Sequence, residues 1–255
     1  MQLIDTHTHL YLNNFDEDRD QVVQYAVNES VQTMLLPAID SSTFTAMMDL
    51  VKKHPENCLP MIGLHPTSVK DNYEEEIKLV KKELEAGGYI AVGEIGIDLY
   101  WDDKFADQQK DAFRQHLQMA KEYDLPAVIH TRNSFDEIYP IVKSESTNKL
   151  TGVFHCFTGT PEEAKKIIDL GFKLGIGGII TFKNSGLAET IQKIPMEFLV
   201  LETDAPFLTP TPYRGKRNES AYINYIANKL GEIRNISIEQ VAELTTKNAV
   251  ELFNL

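Results

Sequence analysis

Short apolar runs rich in Val, Ile and Leu alternate along this chain with longer polar segments of helical period. The runs fall at 2–6, 32–37, 59–64, 89–94, 126–130, 150–155, 172–177 and 198–203, and they predict eight strands. Between them, 16–29, 42–53, 73–86, 107–123, 134–145, 161–170 and 185–193 read as helices, and 219–230 and 237–252 read as two more after the last strand. Local chemistry supports several boundaries. Thr160-Pro161-Glu162-Glu163 sets an N-cap, a first-turn proline and a capping-box acid in a row, and Ser237 with Gln240 repeats the box. Gly87-Gly88 and Gly171 supply stop signals. Eight strand–helix units in 255 residues, with no repeat, low-complexity tract or linker between them, predict a single-domain (β/α)8 TIM barrel of the α/β class over 1–255.

Charge narrows the function classes. With Lys+Arg 25 against Asp+Glu 38 the formal charge is −13, which excludes a basic protein that coats nucleic acid. Hydrophobic residues at 42% and charged residues at 25% are near globular averages, enough for a sizeable core. The longest apolar runs, such as 174–182 with its three glycines, are far shorter than the roughly 20 residues of a membrane-spanning helix, so no membrane association is expected. The two cysteines, Cys58 and Cys156, lie far apart, and Met1-Gln2-Leu3-Ile4-Asp5 carries no charged-then-apolar leader, which points to a reducing cytoplasm. No obligate protein partner is evident.

In a barrel of this kind the C-terminal strand ends converge on one face and build the site. Five of the seven histidines fall at such ends: His7 and His9 on the first strand, His65 on the third, His130 on the fifth and His155 on the sixth. Glu94 closes the predicted fourth strand and Asp204 follows the eighth. Residues two apart in extended chain share a face, so His7 and His9 can reach one ion. The same rule puts Val92 with Glu94, Val128 with His130, Val153 with His155, and Val200 with Glu202 and Asp204, apolar residues filling the barrel and polar ones crowning it. So many partly buried polar groups need a cation between them. Mixed imidazole and carboxylate donors suit Zn, Mn, Fe or Co, and Mg less well; six donors exceed what one open catalytic ion takes, which favours two ions bridged by Glu94. His54 and His116, without evident partners, read as surface residues, and Cys156 reads as an inert, strand-end thiol.

The motifs D-T-H-T-H at 5–9, G-L-H-P at 63–66, G-E-I-G-I-D at 93–98, V-I-H-T-R at 128–132, H-C-F-T-G at 155–159, L-E-T-D-A-P-F-L-T-P at 201–210 and P-Y-R-G-K-R-N-E at 212–219 together resemble the TatD family of metal-dependent deoxyribonucleases. Ser220 departs from the proline the family often carries there. The resemblance implies a TIM barrel of the amidohydrolase superfamily that cleaves DNA, 3′–5′ exonuclease-like, at single-stranded ends bound transiently. It implies His7, His9, Glu94, His130, His155 and Asp204 as ligands of two divalent ions (Mg, Mn or Zn), and His65 as an active-site residue that donates to a substrate phosphate. Asp204 is expected to serve as ligand and base, and Glu202 and Asp5 as carboxylates behind the ligands.

A phosphodiesterase also needs cations for the phosphate. Arg214, ten residues after Asp204 with Lys216 and Arg217 beside it, is the first candidate, and Arg132, two residues after His130, the weaker one. The loop Leu99-Tyr100-Trp101-Asp102 offers an aromatic platform for a base, with Tyr100 as its candidate. Two rival readings stand beside this one: the same rim hydrolysing an amide, ester, lactone or phosphotriester, and a noncatalytic metal-binding scaffold.

Overall fold

The computed structural model describes residues 1–101, 103–146 and 149–255. Its strands are β1 (Leu3–Asp5), β2 (Val31–Pro37), β3 (Cys58–Met61), β4 (Val92–Asp98), β5 (Ala127–Arg132), β6 (Gly152–Phe154), β7 (Lys173–Ile176) and β8 (Leu199–Leu201). The helices are α1 (Arg19–Asn28), α2 (Ser41–Lys53), α3 (Tyr73–Ala86), α4 (Ala106–Glu122), α5 (Phe135–Glu145), α6 (Pro161–Asp169), α7 (Leu187–Ile191), α8 (Ile223–Arg234) and α9 (Ile238–Phe253). All strand pairs are parallel, in the runs β1-β2-β3 and β4-β5-β6-β7-β8. Backbone hydrogen bonds close these two runs into a ring. Ile62 N–H donates to Ala91 O (3.1 Å) and Gly93 N–H to Ile62 O (2.8 Å) at the first seam. Thr6 N–H donates to Leu201 O (3.0 Å) and Asp204 N–H to His7 O (2.9 Å) at the second. The fold is a TIM barrel, as the alternation of strands and helices predicts.

The predicted caps form. Thr160 and Glu163 box the start of α6, and Ser237 and Gln240 that of α9. The helix predicted at 219–230 begins only at Ile223, because Glu219 is extended and Ser220–Tyr222 make a tight 3-10 turn. Inside the ring, Ile4, Leu35, Met61, Ala91, Val128, Val153 and Val200 form one apolar layer, packed with Ala249 and Phe253 of α9. A second, larger cluster fills the space between strands and helices. Among the described residues no helix is long and apolar enough to cross a membrane.

β4 departs from the predicted register in a way that matters for the site. It runs to Asp98, past Glu94, just as β5 runs to Arg132, past His130. Val92 pairs with Ala127 but Ile95 with Ile129, so β4 carries one extra residue across Gly93 and Glu94. The bulge reverses the alternation: Ala91 faces the barrel interior, and Val92 packs in the outer cluster rather than sharing a face with Glu94. Gly96 is required at close range, since a Cβ there would lie 2.0 Å from the His130 carbonyl oxygen.

Candidate active site

The predicted rim residues meet around one carboxylate. Glu94 is buried, and its Oε1 lies 2.8 Å from His130 Nδ1, 3.0 Å from His155 Nε2 and 3.3 Å from His65 Nε2. Its Oε2 lies 3.1 Å from His7 Nε2 and 3.7 Å from His9 Nε2. Asp204 Oδ1 completes this second side at 3.5 Å from His9 Nε2 and 3.9 Å from His7 Nε2. The rings of His7 and His155 stack at 3.8 Å between centroids. Four strands, β1, β3, β5 and β6, thus deliver five imidazoles, and the bulge in β4 delivers the carboxylate among them.

What holds each ring from behind decides what it presents in front. His9 Nδ1–H donates to the Tyr11 hydroxyl (3.0 Å), which itself donates to Pro37 O (2.6 Å), so Nε2 faces the cluster as a lone pair. His130 Nε2–H donates to Asp98 Oδ2 (2.9 Å), so that Nδ1, 2.8 Å from Glu94 Oε1, is the nitrogen that would offer a lone pair to an ion. His155 Nδ1 stands 3.3 Å from Glu202 Oε1, turning its Nε2 to Glu94. His65 is wired the opposite way. Its Nδ1 accepts from Thr67 N–H (3.1 Å), so the neutral ring carries its proton on Nε2 and faces the site as a donor.

Glu202 is fully buried, and its carboxylate accepts from the Cys156 N–H. It lies against Gly175, where a Cβ would come within 2.2 Å of Oε2. Asp5 is also fully buried; it accepts from Thr203 N–H (2.9 Å) and Oγ1–H (2.6 Å) and from His7 N–H (3.4 Å). It therefore ties β1 to the chain after β8 and touches no imidazole. Burial pushes its carboxyl up to about 7.

The electrostatics match a cation site. Burial alone would raise the Glu94 carboxyl, but His65, His155 and His7 outweigh it and hold the group well below the usual range. Burial, reinforced by His155, lowers His7. For His155 the cost of burial is overcome by Glu94 and Glu202, which raise it well above its ordinary value. Asp204 is lowered against the effect of burial by its contact with His9 and by the charges of His155 and His7. Burial raises the Cys156 thiol far up, which leaves it without nucleophilic thiolate at neutral pH.

A metal fits this donor set. Donors each 2.0–2.2 Å from one ion lie about 3 to 3.5 Å from one another, and the distances of 2.8–3.9 Å around Glu94 fall close to that spacing. Among the described residues, three groups bring ligand atoms close enough to share an ion: His7 with His9 and Glu94, His7 with His155 and Asp204, and His65 with Glu94 and His130. His7 Nδ1, His155 Nδ1 and Glu202 Oε2 are buried at the cluster without a hydrogen-bond partner, so the protein alone does not satisfy its polar atoms.

Other predicted residues land elsewhere. A cavity of about 660 Å³ opens over the cluster, and Arg132 lines it while Arg214 does not. The Arg214 guanidinium lies over the Phe182 ring at 4.0 Å, and Arg217 is bound to Asp18 (2.6 Å) and Glu219 (3.1 Å). Of the two cation candidates, the one placed second in the sequence reading is the one at the cavity. Tyr100 stacks under Arg132 at 4.0 Å, and its neighbour Trp101 is the one that lines the cavity; Asp102 lies outside the described residues. His116 is not on the surface but fully buried, and His54 is half-buried against Asp20 at 2.9 Å. Asp98 and Tyr11, which hold His130 and His9, were missed. Each sits an even number of residues from a predicted ligand on its own segment, the signal that would have found them.

Residues 4–254 match the family described as TatD related DNase. The chain belongs to this family. It is 37% identical over 254 residues to the metal-dependent hydrolase YabD of Bacillus subtilis (strain 168), covering 99% of each chain. It is 32% identical over 260 residues to the metal-dependent hydrolase YcfH of Escherichia coli (strain K12), covering 100% of this chain and 97% of that one. The crystal structure of YJJV, a TatD homologue from Escherichia coli K12, superposes with a TM-score of 0.93 at 30% identity, covering 99% of this chain and 98% of that one. This TatD-family protein is a metal-dependent hydrolase on a TIM barrel.

Proposed function

We propose that this protein is a deoxyribonuclease that hydrolyses phosphodiester bonds at single-stranded DNA ends, in the cytoplasm, with two divalent ions. The observation that carries the reading is the way Glu94 divides the cluster. One oxygen faces His7, His9 and, beyond them, Asp204; the other faces His130 and His155. These six residues are the proposed ligands, with Glu94 shared. Such ions, when bound, lower the pKa of water from 15.7 toward about 7 and offset charge on the phosphate.

The chain's own groups do the rest. Asp204, held ionised by the surrounding histidines, accepts the proton of the attacking water. His65, kept neutral by burial and with its proton on Nε2, donates to a nonbridging phosphate oxygen. Arg132 lines the cavity and supplies the guanidinium for the charge that builds up there. A net charge of −13 disfavours a long duplex footprint and favours a terminal strand. Both cysteines are free, which suits a reducing compartment.

The test is cleavage of an end-labelled single strand by metal-stripped protein with Mg, Mn or Zn added back, and Asp204→Ala run alongside. Metal-restored cleavage that the variant lacks is expected. Absence of cleavage with every ion, together with turnover of a lactone, amide or phosphotriester, would overturn the nuclease reading.

A further inference from the structure

Two large rings stand exposed at the mouth of the cavity. Trp101, the one tryptophan in the sequence, is 69% exposed, and Phe207 is 50% exposed; both line the cavity over the histidine cluster. Trp101 follows β4 and Phe207 follows β8, four strands apart in an eight-strand ring, so the rings rise on opposite sides of the opening. Exposed rings of this size leave apolar surface in water that burial would stabilise.

Their backbones are fixed although their side chains are not covered. Asp98 Oδ1 accepts from the N–H groups of Tyr100 (2.9 Å) and Trp101 (3.4 Å), while its other oxygen holds His130. The Asn218 amide donates to the carbonyls of Phe207 (2.6 Å) and Thr203 (2.8 Å), and Phe207 N–H donates to Asp204 O (2.7 Å). Both walls are thus anchored directly to residues of the cluster: Trp101 through Asp98 to His130, and Phe207 to Asp204. Walls whose backbones are already fixed lose less freedom when something enters between them. Beside Trp101, the Arg132 guanidinium lies 5.2 Å from its ring and 4.0 Å from that of Tyr100.

We propose that Trp101 and Phe207 form a clamp for the nucleobase of the terminal nucleotide, while Arg132 takes its phosphate. The proposal rests on the nuclease reading and adds to it the part of the substrate that is recognised. The occupant is a base rather than an aliphatic chain because the walls are flat π faces and a cation lies beside them in a strongly acidic protein. Every base has a face that stacks on such rings, so the clamp gives affinity with little preference among the four.

The single tryptophan makes this directly measurable. The metal-loaded protein is titrated with dAMP and, in parallel, with deoxyribose 5-phosphate, which carries the same phosphate and no base. Saturable quenching of the Trp101 emission by dAMP, and none by deoxyribose 5-phosphate, is expected. Phe207→Ala, a change at an exposed side chain, should weaken dAMP roughly 5- to 150-fold, the range of a lost base–aromatic stack, and leave deoxyribose 5-phosphate unchanged. Trp101→Ala should weaken dAMP likewise when binding is followed by calorimetry. Binding of dAMP with no change in Trp101 emission, or equal affinity in the Phe207→Ala protein, would overturn the clamp. Strand cleavage measured on the same preparations separates the two readings. Cleavage without quenching overturns the clamp and leaves the nuclease, and quenching without cleavage does the reverse.

Discussion

Replacing His116 by Gln should flatten the acid side of the protein's stability curve. His116 lies on α4 with no exposed surface; its Nδ1–H donates to Ala112 O at 2.6 Å and its Nε2 accepts from Leu64 N–H at 3.2 Å. Burial moves its pKa from 6.5 down to about 4. Between those values the unfolded chain holds a proton on this ring that the folded chain does not, so stability rises with pH. The contribution is complete above pH 6.5 and is lost as pH falls toward 4. The interval from 6.5 to about 4, at 1.36 kcal/mol per pH unit, amounts to about 3 kcal/mol. Urea unfolding of wild type and His116→Gln at pH values from 4.5 to 7.5 measures it, because the other titrating groups are common to both proteins and cancel in the difference. Wild type should lose stability relative to the variant on acidification. Parallel curves over that range would show that the ring titrates alike in both states and would refute the buried, neutral assignment.

Two further predictions concern the cluster. Gly175→Ala drives a methyl group to 2.2 Å from Glu202 Oε2, whereas at Gly177 the nearest atom would be 3.8 Å away. The first change should cost about 1–3 kcal/mol and weaken metal binding roughly 10- to 100-fold by disturbing the carboxylate behind His155, and the second should do neither on steric grounds. Thermal unfolding and metal titration compare them, and equal metal affinity would remove Glu202 from the site. Arg132→Ala should lower kcat/KM on a single strand by roughly tenfold or more, the worth of a charged hydrogen bond, while Arg214→Ala stays near wild type. The opposite ranking in steady-state kinetics would restore Arg214 as the phosphate contact.

Why the imidazoles could be read from the sequence and other parts could not is a matter of which distances the chain encodes. A parallel barrel turns eight separated apolar runs into one ring, so histidines ending those runs share a rim whatever the loops do. That argument needs only local pattern, and it brought His7, His9, His65, His130 and His155 together. The sequence reading puts His116 at the surface although the pattern was there: Ala112, Phe113, Leu117 and Ala120 mark the buried face of α4, and 116 lies on it at helical spacing. The bulge at Gly93 and Glu94 was not legible, because one unpaired residue shifts the register of everything after it and leaves no change in composition. The first place given to Arg214 has a different cause. Nearness to Asp204 in sequence does not set where a long side chain points, and the partner that claims Arg217 is Asp18, on the far side of the chain in sequence. A basic residue beside a ligand reaches the substrate only if no acid from another element reaches it first. In a chain with 38 acidic residues against 25 basic ones, that competition decides which cations are left to face a phosphate.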